Sequence, residues 1–110
     1  MEEWYVTIGH LLKRPAMYGL NKVEDIKLLF LGVRLFCFNN SLLSNEFETG
    51  FNVFVNAFFT KEHNFKEPHD WSKLIRLYSG SDKHSLELFG RFFYEYLESI
   101  GISHSDVNIL

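Results

Sequence analysis

Phenylalanine recurs along this chain at helical spacing, and almost no alanine accompanies it. The sequence holds 12 Phe in 110 residues, against Ala16 and Ala57 alone. Phe51, Phe54, Val55, Phe58 and Phe59 fall at i, i+3, i+4, i+7 and i+8, one face of a helix. Leu86, Phe89, Phe93, Tyr96, Leu97 and Ile100 make a second such face. A core of rings this large needs several helices around it, with small residues where they cross. Gly32 and Gly90 sit inside apolar helical stretches, where glycine costs about 1 kcal/mol against alanine. Each is therefore expected to face the axis of a neighbouring helix.

Five helical segments follow from the pattern, giving an all-α fold in a single domain over residues 1–110. The first runs from Glu2 to Arg14, on Trp4, Ile8, Leu11 and Leu12, and Pro15 ends it. Ala16 to Gly19 reads as a turn, with Gly19 free to take positive φ. The second runs from Lys22 to Asn39, with Asn21 and Glu24 at capping-box spacing. Its two apolar stripes are Ile26, Leu29, Phe30, Val33 and Cys37, and Leu28, Leu31, Leu35 and Phe38. A helix apolar on most of its circumference belongs at the centre of the bundle. Asn39 to Gly50 reads as a polar connection, and Phe51 to Glu62 as the third helix. Asp70 caps the fourth, Trp71 to Ser79, and Ser81 or Asp82 caps the fifth. Residues 101–110 read as a tail.

Composition excludes several classes. Apolar residues reach 46% and the net charge is only −3, which argues against disorder. Charges interrupt every apolar stretch before membrane-spanning length. The acidic balance disfavours a nucleic-acid binder. The single cysteine, Cys37, lies among Phe and Leu and reads as a small buried hydrophobe, which leaves no intramolecular disulfide. Met1-Glu2-Glu3 is acidic where a secretory leader would be basic, so the cytoplasm is the expected compartment.

No catalytic pattern stands out. His63 and His69 flank one polar segment beside Glu62, Glu67 and Asp70, but a solvated loop is preferred over a metal site or a hydrolase centre. His104-Ser105-Asp106 lies on the tail, and a triad is defined by geometry rather than adjacency. The glycines never cluster into a phosphate loop. The chain is accordingly read as a non-enzyme without metal or cofactor. Trp71 and the Phe stripes could line an apolar pocket, which would suit a small ligand-binding or adaptor domain.

Arg14-Pro15-Ala16-Met17-Tyr18-Gly19 follows the first amphipathic segment. Further on come Gly32, Phe51-Asn52-Val53-Phe54-Val55, Trp71-Ser72-Lys73-Leu74-Ile75 and the Phe-rich stretch from Leu86 to Phe93. In this order the motifs resemble a group of small bacterial immunity proteins with an R-P-x-M-Y motif, of the contact-dependent growth inhibition or Rhs type. Val33 stands where an aromatic residue is expected. The resemblance implies a protein that binds and neutralises a cognate toxin domain, such as a nuclease, by covering its active site or substrate groove. It implies a structural role for Arg14, Pro15, Met17, Tyr18 and Gly19. A basic toxin cleft would be met by acidic side chains. The expected contacts are Glu46 and Glu48 on the polar connection, and Asp82, Glu87, Glu95 and Glu98 on the last helix.

Overall fold

A computed structural model describes residues 2–36, 38–63 and 69–102, and among them the fold is all-α. The helices are α1 (Glu2–Lys13), α2 (Val23–Phe36), α3 (Phe38–His63), α4 (Trp71–Leu77) and α5 (Asp82–Ser99), with a 3-10 turn at Pro15–Tyr18. No described helix is long and apolar enough to cross a membrane.

Local chemistry sets the helix ends. Asp70 caps α4, its carboxylate accepting from Ser72 N at 3.1 Å, and Ser81 caps α5, its hydroxyl accepting from His84 N at 3.0 Å. The start of α2 departs from the expected pairing of Asn21 with Glu24. Asp25 reaches back instead, accepting from Asn21 N at 2.8 Å and Lys22 N at 3.2 Å, and Glu24 is committed elsewhere. Gly19 takes φ 77°, as expected, and Gly101 takes φ 87°. Both close a Schellman-type exit. Leu20 N donates to Pro15 O at 2.9 Å, and Ile102 N donates to Leu97 O at the same distance. Each glycine is followed by an apolar residue turned to the core, Leu20 and Ile102. Gly101 and Ile102, expected in the tail, thus belong to the exit of the last helix and the packed body, and residues 103–110 lie outside the described part.

Trp71 anchors the core. It is fully buried, with ring centroids 5.2 Å from Phe51, 5.4 Å from Phe89 and 5.5 Å from Phe30. Phe47 and Phe93 extend the cluster at one side, and Phe59 and Phe92 at another. Each such ring contributes roughly 1.5–3 kcal/mol by burial, plus about 0.5–1.5 kcal/mol per well-placed pair.

The largest correction concerns Asn39 to Gly50. These residues belong to α3, which runs unbroken to His63. Phe47, Phe51, Val55 and Phe59 are all buried at i+4 steps, so the apolar stripe extends one turn before the segment read as helical. Tertiary burial outweighs the weak helix propensity of the Asn and Ser residues. The centre of the bundle is also shared: α2 packs against α3, α4 and α5, but α3 packs against all four other helices. Ile26 and Phe30 of α2 are buried, whereas Leu28 and Leu31 face outward, 63% and 40% exposed. Phe92, absent from the expected face of α5, is buried, whereas Ile100, placed on that face, follows the helix end and is 45% exposed.

The glycine expectation also fails. Among the described residues, a Cβ on Gly32 or Gly90 would meet nothing within 4 Å. The close approach occurs at Gly50, where a Cβ would collide with Tyr96 Oη. Tyr96 packs against Phe47, Phe51 and Phe54, so the space above Gly50 is filled by a braced ring. The side chain of Cys37 lies outside the described residues.

Candidate functional site

Two polar nodes hold the helices in place, and they absorb charges that the sequence leaves looking free. In the first, Lys27 of α2 donates to Glu48 of α3 and, at 2.9 Å, to Asp70 at the start of α4. Glu48 also accepts from Trp71 Nε1 at 2.9 Å, and the Lys27 amine stands 5.5 Å from the centroid of the Trp71 ring. Burial pulls the Lys27 amine down, but the bonds to Glu48 and Asp70 outweigh it and hold its pKa above the usual lysine range. Burial pushes Asp70 up, and the bonds from Ser72 and Lys27 more than reverse it.

The same edge of α3 continues the seam. Asn52 Oδ1 accepts from Trp71 N at 2.8 Å, which occupies a helix-start donor of α4. Asn56 accepts from His69 N at 2.8 Å and donates to His69 O at 2.7 Å. Glu48, Asn52 and Asn56 thus form a polar ladder at i+4 steps that positions the start of α4.

In the second node, Arg76 of α4 takes both oxygens of Glu24, at 2.8 and 2.7 Å, and reaches Asp82 at 2.9 Å. The guanidinium lowers Glu24 to about 2. The two acids raise Arg76 further above its already high range. Buried Ser85 accepts from Val23 N at 3.0 Å and donates to Asp82 O at 2.6 Å, tying α5 to the first turn of α2.

The expected contact acids therefore divide. Glu48 is the clear correction: it is 5% exposed, on a helix, and bonded to Lys27 and Trp71. Asp82 is exposed but paired with Arg76, and Glu95 pairs with Arg91 at 3.1 Å. Glu46, Glu87 and Glu98 are exposed. Lys27, Arg76, Ser85, Asn52 and Asn56 hold the bundle together and carry no sequence motif. Their one sequence signal is Asn at i and i+4 inside an apolar helical stretch, where Asn is out of place without a partner.

Arg14 to Gly19 forms a surface knuckle. Pro15 starts the 3-10 turn and Gly19 ends it. Met17 and Tyr18 are not core residues: they are 71% and 46% exposed. Tyr18 Oη hydrogen-bonds His10 Nε2 at 3.3 Å, bracing the knuckle against α1.

Around Trp71 tight packing stands where the alternative reading needs an apolar pocket. The indole is enclosed by rings, and the depression beside it, about 280 Å3, is walled mainly by Lys27, Glu48, Thr49, Asn52 and Asp70. Among the described residues no group of three or more His, Cys, Asp or Glu could hold a metal ion. His69 is fixed through its backbone by Asn56, and the side chain of His63 lies outside the described residues. Compared with known proteins, the chain matches no family model, no curated protein and no solved structure.

Proposed function

We propose that this chain is an immunity protein, acting in the cytoplasm, that neutralises a cognate bacterial toxin domain by binding it. One observation carries the reading. The residues that bear the resemblance, Arg14 to Gly19, form a braced knuckle that presents Met17 and Tyr18 to solvent instead of burying them. Tyr, Met and Arg are enriched in the buried centres of protein interfaces, and a pre-ordered turn loses little entropy on docking. The net charge of −3 favours encounter with a basic toxin surface, and exposed Glu46, Glu87 and Glu98 contribute to that field. The partner is then a protein, with no cofactor and no nucleic acid bound directly by this chain.

The test is co-expression with the toxin domain encoded beside the gene. The expected result is restored growth and a co-purifying complex, both weakened by Met17→Ala with Tyr18→Ala. Continued growth arrest in cells containing soluble, folded chain would overturn the reading.

A further inference from the structure

The knuckle borders a groove. The last turn of α1 with Pro15 makes one wall and α5 from Lys83 to Tyr94 the other, and together they border an open space of about 520 Å3. The walls are apolar, chiefly Leu12, Pro15, Leu86 and Tyr94. Gly90 opens the space between them, since a Cβ there meets nothing within 4 Å among the described residues. Glycine inside a helix costs about 1 kcal/mol against alanine, and no described neighbour requires it here. What its missing side chain provides is room in the groove. Lys13 stands on the α1 wall and Lys83 and Glu87 on the α5 wall, and exposed Arg14 lies just before Pro15 at the edge of the groove. The local charge is positive in a chain whose net charge is −3.

We infer that this groove is where the protein partner docks, receiving a short apolar segment flanked by carboxylates. The inference rests on the neutralisation reading for the partner being a protein. The apolar walls and the open Gly90 site accept a side chain such as Leu or Phe. The lysine stems lengthen the apolar walls, while the excess of positive charge from Lys13, Lys83 and Arg14 over Glu87 favours carboxylates on either side. Pro15 belongs both to the groove wall and to the turn that carries exposed Met17 and Tyr18, so the knuckle adjoins the groove. The whole-molecule field draws in a basic partner, and the groove fixes which part of it seats.

The experiment titrates the isotope-labelled chain, at low salt, with two acetylated hexapeptides. Each has a central pair of leucines, flanked by glutamates in one and by lysines in the other. The expected result is movement of the Leu86, Gly90 and Tyr94 amide signals and about tenfold tighter binding of the glutamate peptide. Lys13→Glu with Lys83→Glu reverses the preference, and Gly90→Leu abolishes binding while the helical circular dichroism is kept. Equal binding of the two peptides, signal changes confined to another face, or unchanged binding by Gly90→Leu would each overturn the inference. So would octanoate binding in the groove as tightly as the peptide, or self-association of the chain that Gly90→Leu removes. The titration needs no toxin. Its failure leaves a positive growth rescue standing, and a failed rescue beside an intact peptide preference removes only the neutralisation reading.

Discussion

The two polar nodes have the same design and different surroundings. Each places one cation between two acids and ties three helices: Lys27 with Glu48 and Asp70, and Arg76 with Glu24 and Asp82. In the first, the Glu48 side chain is 7% exposed; in the second, the acids are 45% and 64% exposed. Water can replace either partner in the open node, whereas Glu48 has no such substitute. The same three charges therefore specify helix position strongly in one place and weakly in the other.

The largest expected effect breaks the enclosed node. Glu48→Ala leaves the Lys27 amine with Asp70 alone and takes the acceptor from Trp71 Nε1, at a cost of about 2–4 kcal/mol by urea denaturation at neutral pH. Glu48→Gln keeps an acceptor for the indole and loses only the charge, so it should cost less. Equal losses for the two would assign the whole effect to charge.

Next come two glycines that repeat the contrast without charge. Gly50→Ala pushes a methyl into Tyr96 and should destabilise by about 1–3 kcal/mol, with Tyr96→Phe in the same chain restoring part of it. Gly90→Ala enters open space and should stabilise by up to about 1 kcal/mol. A destabilised Gly90→Ala would mean that the groove wall is tighter than its geometry.

The open node gives the smallest effect and the clearest pH signature. Arg76 lowers the Glu24 pKa on folding from about 4.5 to about 2. The pair therefore stabilises fully above pH 4.5, and the contribution is lost as pH falls toward about 2. Glu24→Gln should shift the melting temperature by about 2 °C or less at neutral pH, the pair being largely solvent-screened. The difference from the unsubstituted chain should close across that acid range. A difference that persists at pH 2 would point to lost packing rather than lost charge.

The parts of the fold legible in the sequence are those set by local chemistry. Pro15, Gly19, Asp70 and Ser81 each fix a chain reversal or a helix start through bonds to near neighbours. The i, i+3, i+4 pattern of rings gives the helical class and most of the buried face. What is not legible is set between helices. The first half of α3 reads as a loop because Asn, Ser and Glu resemble loop composition, yet Glu48 within it, like Asn52 and Asn56 in the half that reads as helical, finds its partners across the seam on α2 and around the start of α4. Leu28 and Leu31 show the opposite failure, since apolar spacing alone does not say which stripe of α2 meets a neighbour. For the candidate site, the sequence marks the Arg14–Gly19 motif but not its exposure. The groove exists only once α1 and α5 are side by side.

The Trp71 indole touches three helices through its rings and bonds, with a carboxylate on its nitrogen and an amine near its face. That makes it a built-in optical reporter. Indole emission shifts with the field of nearby charges, so in a Trp4→Phe background its wavelength reads the seating of α4 directly. A partner that levers α4 away from α3 would redden it, and one that docks only at the knuckle would leave its colour unchanged.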